Sequence, residues 1–381
     1  MTSETTTERI DTVVIGGGQA GLAAGHELAR RGLEFVILDA DARIGDHWRE
    51  RWDSLRLYSP ARSDGLPGFP FPAPSYHYPT GREMGDYLES YAGRFGLPVR
   101  SGVRVRRLDR TPDGEGFLVD TGDHRILARQ VVVATGPFRT PKVPAFAGEL
   151  DQSIRQLHAN DYQNPGQLLD GPVLVVGLAH SGGDIAIEVA RTHRTILSGA
   201  FHGQIPFRVI DSPRARIAWP IISFAFAHVM TIRTPMGRKM RKQIRGGGGG
   251  GPLLRVRLPD LDAAGVERHE ARTVGAQDGL PVLADGTVLD VRNVVWCTGY
   301  RHEYDWIGAP VVGPDGWPDE VRGVSPTVPG LYFLGIPFSY SFTSMLVAGA
   351  GRDATYVVER IAERVAARAG ASLTAAAAAS N

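Results

Sequence analysis

Three glycines near the amino terminus, Gly16, Gly18 and Gly21, have the spacing of a nucleotide-binding turn. They follow an apolar, β-branched run at 11–15 and precede a helix-like run at 22–29. In the order strand, G-x-G-x-x-G, helix, the glycines permit a tight turn, close approach of the backbone to a pyrophosphate, and close packing of helix on strand. The amides and the dipole at the helix start favour the negative charge of phosphates.

A carboxylate suited to a ribose follows this turn. The apolar strand 35–38 runs into Asp39, 21 residues after Gly18. A carboxylate at that place accepts hydrogen bonds from the ribose hydroxyls of a dinucleotide. Strand, glycines, helix, second strand and terminal acid together predict a dinucleotide site. The structural alternative is a glycine-rich turn that binds no ligand.

A second turn has the spacing G-x-A-x-x-G over Gly177, Ala179 and Gly182. Ala179 adds a methyl group where the backbone should approach a pyrophosphate, so this site is loosened. The following strand, 195–198, ends without an acid, which favours a 2′-phosphorylated nucleotide, yet Ala200 stands where an arginine is expected. We predict a nicotinamide nucleotide here; the alternative is a retained fold with weakened binding.

These turns belong to an α/β chain of 381 residues, a length suited to two domains. Hydrophobic content of 43% and charged content of 22% are typical of a globular protein, and a net charge of +1 gives no reason to expect nucleic acid. Cys297 is the only cysteine, so the chain has no disulfide or redox pair of its own. No signal peptide opens the chain, which predicts a cytoplasmic protein. We predict no metal site.

Strands that run into Thr-Gly occur twice, at 130–136 and 288–299. We interpret them as strands that flank an inserted domain. The prediction is two Rossmann-like dinucleotide-binding domains, the first formed by 1–150 and 287–381, and the second inserted at 151–286.

Other segments predict the remaining elements. The runs 103–108, which includes Val105, and 117–120 alternate like antiparallel strands, whereas 84–95 is an amphipathic helix. The alanine-rich end from Ala362 is expected to fray.

Two segments are candidates to border a substrate. The irregular segment 54–79 is rich in proline and aromatic residues, and it either walls a pocket or is simply packed down by its rings. The apolar run 217–232, too short to span a bilayer, precedes a basic stretch that ends at Arg245. It could cover a substrate entrance, lie on a membrane surface or be a buried helix. Membrane contact through 217–245 is possible but not favoured.

Two dinucleotide folds with two Thr-Gly crossovers resemble the two-domain flavoproteins that hold FAD in one fold and NAD(P)H in the other. More narrowly, the chain resembles bacterial flavin-containing monooxygenases over about 10–361. The most specific segment is Phe146-Ala147-Gly148 followed by His158-Ala159-Asn160-Asp161-Tyr162, similar to that family's F-x-G…H-x-x-x-Y signature with a longer gap before the histidine. The segment Gly45-Asp46-His47-Trp48 is similar to the family's G-G-x-W, with Asp46 replacing a glycine.

The resemblance implies that FAD and NADPH supply the chemistry. NADPH would deliver hydride to FAD, and the reduced flavin would trap O₂ as a C4a-(hydro)peroxide. One oxygen atom would then enter a small lipophilic substrate by N-, S- or C-oxygenation or by Baeyer–Villiger insertion, in a pocket that excludes water. Tyr58 stands where the family often has an asparagine or histidine near the flavin, so it is the candidate catalytic residue; it could also bind substrate or merely stack.

The turns and the resemblance together give a set of candidate cofactor-binding residues. They are Gly16, Gly18, Gln19, Ala20, Gly21, Asp39, Gly45, His47, Trp48, Val105, Ala134, Thr135, Gly136, Gly177, Ala179, His180, Ser181, Gly182, Thr298, Gly299, Gly335, Ser344 and Met345. The departures from the family pattern, Ala179, His180 and Ala200, all fall in the nicotinamide half. FAD binding is therefore better supported than NADPH preference.

Two other functions remain open. A flavin oxidase or dehydrogenase that needs no NADPH is favoured by the altered second turn. A nucleotide-binding sensor without catalysis, seated on a membrane through 217–232, is the lesser alternative. The substrate and the oligomeric state are not predicted.

Overall fold

A computed structural model describes residues 7–205, 213–247 and 251–379. The strands are β1 (Thr7–Ile15), β2 (Phe35–Leu38), β3 (Val99–Arg100), β4 (Arg107–Arg110), β5 (Phe117–Asp120), β6 (Arg125–Val133), β7 (Thr140–Pro141), β8 (Arg155–His158), β9 (Val173–Val176), β10 (Thr195–Ser198), β11 (Glu267–His269), β12 (Thr273–Gln277), β13 (Leu280–Leu283), β14 (Asn293–Trp296), β15 (Tyr300–Arg301) and β16 (Leu331–Phe333). The helices are α1 (Gln19–Arg30), α2 (Asp46–Arg49), α3 (Gly81–Arg94), α4 (His180–Val189), α5 (Pro213–Phe224), α6 (Pro235–Arg245), α7 (Leu258–Ala263) and α8 (Val347–Ala379).

The first sheet has seven strands in the order β3-β2-β1-β6-β5-β4, with β16 also paired to β6. At its centre, β1 lies between β2 and β6 and pairs with both in parallel. The side chains of Val13, Val14 and Ile15 in β1 are all buried, although they alternate between the two faces of the sheet. Continuous apolar runs suit strands that are covered on both faces. Helices α1, α3 and α8 cover one face, and the opposite face packs on side chains from 304–336. The predicted return of 130–136 to this sheet is confirmed.

The helix α3 shows how the sequence sets an element boundary. Thr80 is its N-cap: the Thr80 hydroxyl accepts from the Glu83 amide (3.1 Å), and the Glu83 carboxylate accepts from the Thr80 amide (2.7 Å). This capping box satisfies two amides that the helix itself leaves free. The predicted helix 84–95 is confirmed except that it begins earlier, at Gly81, and Phe95 is its C-cap; the helix buries its Met84, Leu88 and Tyr91 face.

The second sheet has five parallel strands in the order β11-β10-β9-β14-β8. The unit β9-α4-β10 repeats the β1-α1-β2 arrangement of the first sheet, with β9 between β10 and β14. Residues 293–296 therefore belong to the second sheet, whereas we assigned everything after 286 to the first domain. That assignment is wrong for this strand, because each sheet has its own strand ending in Thr-Gly beside its own glycine turn.

The chain crosses between the two units through a short antiparallel ribbon. Strand β7 carries it out of the first sheet and β15 carries it back, with Tyr300 opposite Pro141 and Arg301 opposite Thr140. The return to the first unit thus follows Gly299 rather than residue 286.

The two strands predicted after α3 and the carboxyl-terminal segment differ in how far they match the sequence predictions. The strand expected over 103–108 begins only at Arg107, where pairing to β5 starts, while 117–120 is confirmed. The end of the chain is helical through Ala379, so the fraying expected from Ala362 is not observed there; alanine has the highest helix propensity and supports the extension. The polar stretch 2–6, the segment 206–212 and the glycine stretch 248–250 lie outside the described residues.

Candidate nucleotide sites and active-site cleft

The first glycine turn is built for close approach. Gly16 has φ +110°, and a Cβ there would lie 2.5 Å from the Ala134 carbonyl oxygen. A Cβ on Gly21 would lie 1.9 Å from the Gly16 oxygen, so helix α1 can sit this close to β1 only without a side chain. Gly18, the N-cap of α1, has no atom within 4 Å of such a Cβ. The space above the helix start is thus open, which fits a pyrophosphate on the α1 amides.

Asp39 lies at the end of β2, beside this turn. Its side chain is buried and accepts a hydrogen bond from the Asp41 amide (3.3 Å). Burial raises the pKa of the Asp39 carboxyl, although backbone amides and the more distant Arg139 favour its charged form. The position matches the one expected for a ribose-binding carboxylate.

The segment 45–48 packs against the start of α1. Gly45 has φ +88° and caps α2, and a Cβ on it would meet the Gly85 backbone of α3 at 2.4 Å. The Trp48 indole N–H donates to the Gln19 side-chain oxygen (3.4 Å). This hydrogen bond between Trp48 and Gln19 joins the segment 45–48 to the start of α1. His47 lies against Arg51, and burial together with that guanidinium lowers the pKa of His47 to about 3.

The second glycine turn copies the first in geometry. Gly177 has φ +117°, a Cβ on it would lie 2.4 Å from the Cys297 oxygen, and a Cβ on Gly182 would lie 1.7 Å from the Gly177 oxygen. Ala179 is the N-cap of α4, the position equivalent to Gly18. Its methyl group is the difference between the two turns at the N-cap, where the first turn has Gly18.

The start of α4 and the end of β10 carry the other departures from the family pattern. His180 and Ser181 lie in the first turn of α4, and the His180 Nε2 is buried without a hydrogen-bond partner among the described residues. Strand β10 ends at Ser198, whose hydroxyl pairs with the Thr273 hydroxyl (2.7 Å). Neither an acid nor an arginine occupies the next two positions, Gly199 and Ala200.

Each Thr-Gly turn lies against a different glycine turn. Ala134 follows β6, and its amide donates to the Ile15 carbonyl (2.8 Å), so Thr135 and Gly136 leave the first sheet beside Gly16. In the second sheet the Cys297 amide donates to the Val176 carbonyl (2.8 Å), and Thr298 and Gly299 follow it. Each Thr-Gly turn therefore lies between its own glycine turn and one strand of the ribbon, β7 after Gly136 and β15 after Gly299.

The histidine of the signature segment holds the crossover ribbon. The His158 Nε2–H donates to the Gly299 carbonyl (3.0 Å), and its Nδ1 accepts from the Asn160 amide (3.0 Å). Tyr162 is fully buried in the core beside α4. On the other side of the ribbon, the Arg51 guanidinium donates to the Tyr300 hydroxyl and to the Phe138 carbonyl. Sequence reasoning did not single out Arg51.

Among the candidate residues near the carboxyl terminus, Gly335 lies beside the start of α1. Gly335 has φ +74°, and a Cβ on it would lie 3.2 Å from the Ala20 side chain in α1. The Ser344 hydroxyl accepts from the amides of Tyr340 (3.0 Å) and Ser341 (3.1 Å), which fixes the short helical turn that ends at Met345. These contacts bring the loop after β16 to the start of α1.

Val105 packs against the hydrophobic cluster that contains Ile15 and Leu38, the residues just before Gly16 and Asp39. It is half-buried before β4 and packs on the core that covers the second face of the first sheet.

Tyr58 is turned toward the second unit. Its hydroxyl donates to an Asp184 carboxylate oxygen (3.1 Å), and its ring lies 5.2 Å from that of His180. Burial and the Asp184 charge raise the pKa of Tyr58 well above its usual value, so the phenol remains a donor. Arg255 pairs with the same carboxylate (3.0 Å). No role was predicted for Asp184 or Arg255 from the sequence. Asp184 is a charged residue among the buried apolar residues of α4, and this feature could have identified it as functional.

The proline- and aromatic-rich segment 54–79 meets α5. The Trp219 indole donates to the Ser63 hydroxyl (2.9 Å), and the Tyr76 hydroxyl donates to the Arg216 carbonyl (3.0 Å). The opposite face of α5 is open: Ile217, Ile221 and Phe224 are 76%, 71% and 61% exposed. Both segments singled out as substrate walls therefore lie in contact.

Among the described residues, no helix has the length and apolar character needed to cross a membrane. No cluster of three or more His, Cys, Asp or Glu side chains suited to a metal ion occurs in those same ranges.

Comparisons with known proteins agree with this architecture. A family model for pyridine nucleotide-disulphide oxidoreductases matches residues 13–199. The uncharacterized oxidoreductase CzcO-like of Geobacillus kaustophilus is 37% identical over 353 residues, which are 92% of this chain and 98% of that protein. A probable indole-3-pyruvate monooxygenase of Arabidopsis thaliana is 28% identical over 392 residues, covering 92% of this chain and 86% of its own length. The solved flavin-containing monooxygenase from Stenotrophomonas maltophilia is 29% identical, with a TM-score of 0.72, and the match covers 94% of this chain and 99% of that one.

Proposed function

Because the chain belongs to the flavin-containing monooxygenase family, we propose that it uses FAD and NADPH to insert one oxygen atom of O₂ into a small lipophilic substrate. The observation that carries the proposal is the pair of glycine turns, each between a central parallel strand of its own sheet and the helix that follows it. FAD, when bound, accepts hydride and activates O₂; the protein binds both nucleotides and excludes water.

FAD belongs at the first turn. The open space above Gly18 admits a pyrophosphate to the α1 amides, and Asp39 receives the ribose. Trp48 and Gly335 contact Gln19 and Ala20 at the start of α1, and Ser344 fixes the loop that follows Gly335. These contacts support a place for the flavin ring system beside this turn.

NADPH belongs at the second turn, with its pyrophosphate at the start of α4. The absence of an acid after β10 favours a 2′-phosphate, because no carboxylate repels it. The methyl group of Ala179 narrows the space through which the pyrophosphate would approach the α4 amides, so we expect weaker binding of NADPH than of FAD. The first domain is accordingly the FAD domain and the inserted domain the NADPH domain.

The substrate pocket lies between segment 54–79 and α5. Both are rich in aromatic and apolar side chains, and the Trp219–Ser63 and Tyr76–Arg216 hydrogen bonds draw them together. An aromatic wall of this kind suits a lipophilic substrate.

A flavin oxidase that needs no NADPH is the second candidate, and the methyl group of Ala179 is the observation that favours it. Disulfide reduction is not a candidate, because Cys297 has no second cysteine to pair with.

The test is oxygen labelling with purified, FAD-loaded protein and methyl phenyl sulfide as probe. We expect sulfoxide that carries ¹⁸O from ¹⁸O₂ and forms only when NADPH is present. Sulfoxide labelled from H₂¹⁸O would contradict oxygen insertion. Turnover without NADPH would favour the oxidase.

A further inference from the structure

A buried carboxylate on α4 connects the inserted domain to the first unit. Asp184, on α4, is 2% exposed and uses both of its oxygens. One accepts from the Tyr58 hydroxyl of the first unit (3.1 Å), and the other from the Arg255 Nε of the second unit (3.0 Å). A buried charge is stable only with such partners, so this geometry is strongly defined.

The same contact surface extends along α4. The second nitrogen of Arg255 donates to the Ser54 carbonyl (3.0 Å), and the Ser54 hydroxyl donates to the Glu188 carboxylate (2.9 Å). Trp52 and Leu55 complete it, because they pack in the same core as the apolar face of α4. Segment 52–58 of the first unit thus rests on one side of α4 from its first turn to its last.

This surface controls the position of the second glycine turn. Asp184 lies one helical turn after His180, the first residue of α4, and the rings of His180 and Tyr58 are 5.2 Å apart. A helix is rigid over so short a span. Any shift of Asp184 against Tyr58 therefore moves the start of α4 relative to the first unit.

We propose that Asp184, held by Tyr58 and Arg255, is a positioning residue that sets the distance and angle between the nicotinamide of NADPH and the flavin. The inference rests on the proposed function. In the step that it serves, a hydride with its two electrons leaves NADPH, which is oxidised, and reaches FAD, which is reduced. Donor and acceptor belong to different units, so the contact between the units determines their alignment.

The experiment compares Tyr58→Phe and Asp184→Asn with a matched control, Tyr332→Phe. Tyr332 is a buried phenol whose hydroxyl donates to Gln130 (3.0 Å) within the first unit, so the control also loses one buried hydrogen bond. Each FAD-loaded protein is reduced anaerobically with NADPH in a stopped-flow instrument. Hydrogen–deuterium exchange of segments 52–58 and 180–189 is measured in parallel.

Both test variants should lower the limiting rate of flavin reduction by roughly tenfold or more, with the apparent Kd for NADPH within about twofold of wild type. Exchange should rise in the two segments, and Tyr332→Phe should change neither readout. Unchanged limiting rates, or a change in Kd alone, would overturn the inference. If NADPH fails to reduce the wild-type flavin, the proposed function itself is wrong.

Discussion

At the scale of single residues, the two glycine turns differ at the N-cap of the helix that follows each turn. Gly18 and Ala179 occupy equivalent N-cap positions, yet only Gly18 leaves open space for a ligand. Gly16 and Gly21, in contrast, are required by the fold, because a Cβ on either would meet backbone within 2.5 Å. The sequence spacing predicted both turns and a packing role for the third glycine, and the 1.9 Å distance from a Gly21 Cβ to the Gly16 oxygen agrees with that role.

Substitution of Gly18 by alanine separates ligand binding from folding. With no atom within 4 Å of the new methyl group, the apoprotein should keep its Tm within a few degrees. The methyl group would stand in the path of the pyrophosphate, so the Kd for FAD should rise about tenfold or more. Gly21→Ala, whose methyl group would lie 1.9 Å from the Gly16 oxygen, should instead lower the Tm of the apoprotein. Unaltered FAD affinity in Gly18→Ala would contradict the assigned cofactor position.

Asp64 gives a pH-dependent prediction. Its carboxyl is fully buried, one oxygen accepts from the Ser59 hydroxyl (2.5 Å), and burial raises its pKa to about 7. The unfolded chain has a pKa of about 3.9 there, so the native state binds more protons between pH 4 and 7. Native stability is therefore lost as pH rises through this window.

The measurement is thermal unfolding of wild type and Asp64→Asn from pH 4 to pH 8. Relative to the variant, the wild type should lose a few kcal/mol between pH 4 and pH 7, up to about 4, and little beyond. A stability difference that stays constant over this range would show that the Asp64 carboxyl titrates normally.

At the scale of elements, the start of α4 is the place that we propose for the pyrophosphate of NADPH. Removing the methyl group of Ala179 should let a pyrophosphate come as close to the α4 amides as Gly18 permits at the start of α1. We expect Ala179→Gly to lower the Kd for NADPH by about tenfold, as measured by equilibrium titration. Ala190→Gly, at the other end of the same helix, is the control and should leave this Kd unchanged. Equal effects of both substitutions would show that helix stability rather than ligand approach is responsible.

Helix α6 is attached to the first unit by a buried ion pair. The side chains of Arg245 and Glu320 are 2% and 0% exposed, and their nearest atoms are 2.5 Å apart. Arg245→Met would leave the buried Glu320 carboxylate with the longer Arg241 contact (3.4 Å) as its remaining ion pair, beside the hydrogen bond from the Gly323 amide (2.6 Å). This loss should cost about 3 kcal/mol of unfolding free energy.

Urea unfolding measures that cost. The exposed substitution Lys239→Met should be neutral, and Arg245→Met/Glu320→Leu should be less destabilised than Arg245→Met because no unpaired charge remains buried. A double variant as unstable as the single one would contradict the assignment of the cost to the unpaired carboxylate.

At the scale of the whole molecule, the sequence predicted local units better than the contacts between them. Strand, glycine turn and helix are adjacent in sequence, so both Rossmann-like units were recognisable. The Thr-Gly pattern repeats, however, and cannot tell which sheet a strand joins, so β14 was assigned to the wrong unit. The Tyr58–Asp184 hydrogen bond joins residues 126 positions apart, and no local pattern encodes such a contact.

The ribbon of β7 and β15 joins the two units, and the proposed function requires electrons to pass from NADPH in one unit to FAD in the other and then to O₂. Stopped-flow absorbance of the FAD-loaded protein tests this most directly. The protein is reduced anaerobically with NADPH, then mixed with O₂. We predict rapid bleaching of the flavin by NADPH, followed by a transient spectrum that differs from both oxidised and reduced flavin. Flavin that NADPH leaves oxidised, or that returns directly to the oxidised spectrum with stoichiometric H₂O₂, would contradict the account.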